Sequence, residues 1–201
     1  PYSISNGGAC SGGVHSATVG EPIASACGTL DIPVTVREFT NVANVSLTLN
    51  YDATKLALQS VDINSLLTGA IGNRDISGVF ILSRQSRTSE ITLADNDVLF
   101  TLHFNILPAA VGGTNTNLTW STVPEDCQFA RMGVDPIVYE SAFIDGVAAI
   151  PVRPVKNDRT KLEYCTIQEA IDAKETVDGD LITVAAGDYY GPINVDKKLK
   201  I

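Results

Sequence analysis

Four cysteines, two histidines and a scatter of carboxylates are the residues of this 201-residue chain whose types could do chemistry. The cysteines stand at positions 10, 27, 127 and 165, and no two form the close pair that a zinc site needs. His15 and His103 have no nucleophile in a recognisable elbow beside them, since the chain lacks G-x-S-x-G. Glu125-Asp126 and Glu163 are carboxylates of the kind that glycosidic chemistry uses in pairs, but their spacing does not mark them for it. Asp95-Asn96-Asp97 offers the hard oxygen ligands that calcium takes. Asn and Asp also suit a tight hairpin turn, and the repeating D-x-D-x-D-G loop is missing, so the turn is the expected reading. No catalytic, metal or cofactor site is therefore expected.

Cys10 and Cys27 bracket a Gly/Ser-rich stretch. A disulfide between them is expected, and on the chain-entropy model it stabilises by about 3 kcal/mol. Cys127 and Cys165 are left either to pair across a domain junction or to remain unpaired. A disulfide points to an oxidising compartment. Sugar binding would need flat aromatic rings in a row. The chain has one Trp and six Tyr, of which Trp120 falls in an expected strand and Tyr189-Tyr190 at an expected corner.

The charge is -9, from 23 acidic against 14 basic residues. A phosphate backbone would be repelled, which excludes nucleic acid as a partner. No apolar run approaches the roughly 18 residues of a membrane-spanning helix.

The elements behind these residues read as β over the first 150 positions. Leu30, Ile32, Val34 and Val36 alternate onto one face, as do Val45, Leu47 and Leu49. In Asp97–Leu107 the residues Val98, Phe100, Leu102, Phe104 and Ile106 share a face, with His103 on the other. Turn-forming segments at 50–52, 72–75, 95–97 and 112–115 separate the runs. Many short strands with little helical period indicate a two-sheet sandwich. Pro151-Val152-Arg153-Pro154 reads as a linker. Beyond it, Thr166-Ile167-Gln168-Glu169 forms a capping box opening a short amphipathic helix on Ile167, Ala170 and Ile171. Brief strands are expected at Leu181–Val184, Ile193–Val195 and Leu199–Ile201. Two units are expected, 1–152 and 153–201. The start at Pro1 and the stop at Ile201 within a strand imply a piece of a longer protein.

Asn44–Leu58, NVSLTLNYDATKLAL, resembles the signature of cohesin domains, which has the form F-x-Y-D-P-x-x-L. Asp31-Ile32-Pro33-Val34 is similar to the strand before it in that family. Asn96-Asp97-Val98 through Phe104 resembles the family's D-G-V-x-x-x-x-x-F element, and Gly146–Ile150 its closing strand. The resemblance spans residues 2–150. It implies a jelly-roll β-sandwich of about nine strands, without catalysis, that binds dockerins, which are small calcium-loaded helical modules. Dockerin contacts of the family carry over to Asn44, which matches, to Ser46, where the family has Asp, and to Arg84, where it has Glu. Arg84 and Arg87 imply a differently charged partner. The last 40 residues are similar to the cap and first coil of a right-handed parallel β-helix of the pectate-lyase kind, which implies that any catalytic site of the parent lies beyond residue 201.

The reading is thus an all-β, non-catalytic, protein-binding module of a secreted or cell-surface bacterial protein, with a dockerin-like or neighbouring surface protein as partner. A structural spacer in a surface fibre or adhesin is the alternative. A carbohydrate-binding appendage of a β-helix enzyme, with polysaccharide as partner, is the third.

Overall fold

A computed structural model describes residues 14–23, 27–123, 125–133 and 138–201. Two sheets pack face to face. The first has five strands: β1 (His15–Val19), β2 (Thr29–Arg37), β4 (Leu56–Ile63), β7 (Val98–Ile106) and β10 (Ser141–Ile144), in the order β10-β1-β2-β7-β4. The second has six: β3 (Asn44–Tyr51), β5 (Ile71–Asn73), β6 (Val79–Arg84), β8 (Asn115–Trp120), β9 (Gln128–Ala130) and β11 (Gly146–Ala149). Its order is β11-β8-β3-β6-β5, with β9 also on β3. All neighbours are antiparallel except β1 and β10.

The sandwich exceeds the nine strands expected because two courses are broken. β8 and β9 pair with successive halves of β3, Leu49 opposite Trp120 and Asn44 opposite Ala130. β10 and β11 are separated by Asp145 alone, where the chain leaves one sheet for the other. Asp145 holds that crossing, because its carboxylate accepts the Trp120 amide at 2.8 Å while the Trp120 indole N–H donates to the Ile144 carbonyl at 3.1 Å.

The alternation read from the sequence supplies the core. Leu30, Ile32, Val34 and Val36 of β2 and Val45, Leu47 and Leu49 of β3 all turn inward. Phe80 meets Phe100 across the layers at 5.1 Å between ring centres, and Phe39 meets Phe129 edge-on at the same separation. On β7 one expectation fails. Val98 is 40% exposed while Leu99 is buried. The register explains it: Val34 faces Phe100 but Thr35 faces Val98, so Leu99 is the extra residue of a bulge and the alternation inverts there.

The C-terminal residues form a smaller unit. β12 (Val155–Asn157) pairs antiparallel with both β13 (Glu163–Tyr164) and β14 (Ile182–Val184). The helix α1 (Ile167–Asp172) begins with the expected capping box, Thr166 accepting the Glu169 amide and Glu169 returning to the Thr166 amide. Val155, Tyr164, Ala170 and Ile182 are its core. No β-helix coil is formed. A first coil needs a neighbouring coil to occupy its strand edge, and here the edge of β14 is taken by β12, from the stretch read as following a linker. Ile193–Val195 forms no strand, and the expected strand at the chain's end is reduced to one bridge, Leu181 with Lys200.

Nor is Pro151–Pro154 a free linker. Arg153 is buried, and its guanidinium donates to the carbonyls of Ile106, Pro108 and Ala110. Glu163 accepts the Gly112 amide at 2.9 Å from the other side of the junction. The covalent tie is Cys27–Cys165, with 5.7 Å between Cα atoms. This replaces the expected Cys10–Cys27 pairing: Cys27 is committed to Cys165, which folding brings next to Gly28, and Cys10 lies outside the described residues. Cys127 is a free thiol, pushed up in pKa by burial.

Two outcomes follow. The disulfide closes a loop between residues 138 apart, so Cys27→Ser with Cys165→Ser is expected to lower stability by about 2–5 kcal/mol in urea denaturation, and peptide mass mapping of the oxidised chain should recover the 27–165 linkage. On the outer face of the five-stranded sheet, His103 Nδ1 lies 2.8 Å from Asp31 and Nε2 lies 3.2 Å from Asp62, tying β2, β7 and β4 together. The Asp31 bond first, then Asp62, raises the His103 pKa in the folded chain. A raised folded pKa gives stability that is fully present below the unfolded value of about 6.5 and is lost as pH rises through the folded value. Denaturation midpoints of the wild type should therefore fall across that window, and those of His103→Gln should lack this step.

Candidate functional site

The second sheet has one face in the core and one in water. On β3 the pleat sends Val45, Leu47 and Leu49 inward, which leaves Asn44, Ser46, Thr48 and Asn50 facing out. Register then assembles the rest of that face. Ser46 lies beside Ser83 on one flank and Gln128 on the other, Thr48 beside Ile81, and Asn50 between Val79 and Thr119. Ile71 is opposite Ser83 on the outermost strand, and Val147 is opposite Asn117 at the other edge. Every outward residue of these strands is uncharged, in a chain whose net charge is -9. The opposite sheet differs, carrying Asp31, Arg37, Asp62 and His103 on its own outer face.

At the end of this face where β3 begins, a groove of about 730 Å³ opens between the segment after β6 and the segment around β9. Asn44, Ser46, Arg84, Arg87, Gln128 and Met132 line it. The three residues carried over from the resemblance, Asn44, Ser46 and Arg84, and the added Arg87 therefore meet at one place, but they do different things. Asn44 accepts the Ser86 amide at 3.1 Å and so sets the course of the 85–89 segment. The Ser46 hydroxyl lies 3.5 Å from the Asp126 carbonyl. Arg87 is exposed. Arg84 is only 2% exposed and is opposite Val45, on the inward side of the pleat. The residue of β6 that reaches the outer face beside Ser46 is Ser83.

Among the described residues Arg84 is a buried cation without a carboxylate partner. Its Nε donates to the Thr68 carbonyl at 3.1 Å, Nη1 to the Ala43 carbonyl, and Nη2 to the Ser89 hydroxyl at 3.0 Å. Burial pushes its pKa below the ordinary arginine value. These bonds fasten the start of β3, the 64–70 turn and the 85–89 segment to one guanidinium, which shapes the groove from behind.

The other candidates have structural employment. Asp95 and Asp97 accept the backbone amides of Glu38 and Ala94 at 2.8 Å each, and Asn96 sits at φ 69°, so the 95–97 segment is a turn that uses its own carboxylates. Asp126 accepts the Ser121 hydroxyl at 2.6 Å, and Glu163 belongs to the junction. His15 stacks on Tyr139 at 3.9 Å. The described residues include no cluster of three or more His, Cys, Asp and Glu arranged for a metal, and no helix is long and apolar enough to cross a membrane. Trp120 is buried and Tyr189 packs on the small core, which among the described residues leaves Tyr190 as an isolated exposed ring rather than part of a sugar-binding row.

Arg84→Ala removes donors from buried carbonyls and is expected to cost about 3 kcal/mol in chemical denaturation. Arg84→Glu, which sets a carboxylate against those same oxygens, should fail to give a cooperative unfolding transition. Arg87→Ala should leave stability unchanged.

Comparison with known proteins bears on the family and the fold. The family model for the cohesin domain matches residues 16–134. The solution structure of CaCohA2 from Clostridium acetobutylicum is 20% identical, with a TM-score of 0.58 over 69% of this chain and 91% of that one. The seventh ScaB type I cohesin from Pseudobacteroides cellulosolvens is 17% identical, with a TM-score of 0.57 over 69% and 93%. The sixth cohesin of scaffoldin B from Acetivibrio cellulolyticus, solved in complex with a Cel5 dockerin, is 19% identical, with a TM-score of 0.55 over 68% and 97%. The search of curated proteins finds no match.

Proposed function

The chain belongs to the cohesin family, and from that premise we propose that it binds a dockerin through the outer face of its six-stranded sheet. Cohesin domains are non-catalytic, and the activity here is recognition. The observation that carries the reading is the uncharged face built on Ser46, Thr48, Asn50, Ile81 and Ser83. An interface core is depleted of charge relative to the rest of a surface, and this face is depleted within a markedly acidic molecule. Related structures solved with dockerins support the choice of partner. Asn44, Ser46 and Arg87 would meet the partner, with Arg84 holding the segments behind them.

Residues 1–152 would then be the recognition unit and 153–201 a unit stapled to it. Cohesins are typically extracellular or at the cell surface, and the Cys27–Cys165 bond fits such an oxidising setting. A bacterial source is part of the same proposal.

The test is the solution mass of the chain, by light scattering, alone and with a panel of dockerins in calcium. A one-to-one complex that calcium chelation dissolves is expected, and Thr48→Arg should abolish it without changing the circular dichroism spectrum. No complex with any dockerin, together with self-association through residues 160–201, would overturn the reading in favour of a structural spacer.

A further inference from the structure

Whatever docks beside the uncharged face also meets the groove at its end, and among the described residues the charge lining it is of one sign. Arg84 and Arg87 are the charged residues lining it. Among the described residues Arg84 meets nothing anionic, since its partners are the carbonyls of Ala43, Thr68 and Ser89 and the Ser89 hydroxyl. Arg87 is exposed and forms no ion pair among the described residues. Among the described residues, carboxylates on the framing segments do not answer them. Glu90 accepts the Met132 amide at 2.9 Å, Asp126 accepts the Ser121 hydroxyl, and Glu125 bridges to neither arginine. A buried charge is screened by salt much less than an exposed one, so the field of Arg84 persists at the groove while Arg87 supplies a guanidinium fork suited to a carboxylate.

We propose that the groove at the start of β3 selects dockerins that present an aspartate or glutamate to Arg87. The inference rests on the dockerin reading above and adds the chemistry of the partner's contact residue. In a chain of net charge -9, general electrostatics would favour basic partners. The groove instead sets the register of an otherwise neutral interface by a local cationic point, since charges at the edge of an interface govern specificity and encounter rate.

The experiment is selection of a displayed, calcium-loaded dockerin library, randomised at its helical surface positions, on the oxidised full chain and on its Arg87→Glu variant. Binders to the wild type are expected to be enriched in Asp or Glu at one position, and binders to Arg87→Glu in Lys or Arg at that same position. A dockerin selected on the wild type should lose about tenfold in affinity for Arg87→Glu, and the loss should shrink as salt is raised. Binders that show no acidic preference, yet are abolished by Thr48→Arg, would overturn the charge inference and leave the face reading standing. Absence of binders, or binders indifferent to Thr48→Arg, would overturn the face reading and this inference with it.

Discussion

The central strand β3 lies between β6 on one side and β8 and β9 on the other, and its packing governs much of the rest. Val45, Leu47 and Leu49 must enter the core, because leaving them in water would forfeit roughly 1.5–3 kcal/mol for each. A strand's period of two then obliges Asn44, Ser46, Thr48 and Asn50 to face water. The same demand on β6 buries Phe80 and Leu82 and turns Ile81 and Ser83 outward. The recognition face is the complement of the core, and its composition is free to be tuned because the inward residues alone secure the sheet.

Arg84 sits where that rule meets its limit. One position beyond Ser83, it points inward at the rim of the core, where a hydrocarbon side chain would leave the carbonyls of Ala43, Thr68 and Ser89 without donors. A guanidinium, with its fixed fork of N–H groups, satisfies them together. The cost of holding a charge out of water is offset by these bonds and by the open groove beside it.

The sheets and their inward faces were legible in the sequence because alternation is a local property, and β2, β3 and the helix cap appear where it puts them. What escaped is non-local. The bulge at Leu99 depends on how β7 meets β2 and inverts Val98 with no sign in its own residues. Motif spacing led to Arg84 as a displayed charge, but pleat parity makes Ser83 the exposed neighbour of Ser46. Parity within β6 itself, where Phe80 and Leu82 set the inward phase, was the available signal. Cysteine positions do not reveal connectivity, and proximity along the chain favoured Cys10 over a partner 138 residues away. The C-terminal strands followed local pattern toward a coil, whereas β12 offered a closer edge.

The Cys27–Cys165 bond also decides how the molecule carries tension. A pull applied to the chain before residue 27 and after residue 165 crosses from one backbone to the other through the two sulfurs, over a Cα separation of 5.7 Å. Everything between, from β2 to β13, hangs from that bond as a closed loop, loaded only through the pairing of β1 with β2 and β10 and of β14 with β12. Among the described elements, only β1 on one side, and α1 and β14 on the other, lie in the line of force. Stretching would draw out these elements and then meet a covalent stop, with β3, β6 and the face they carry still folded.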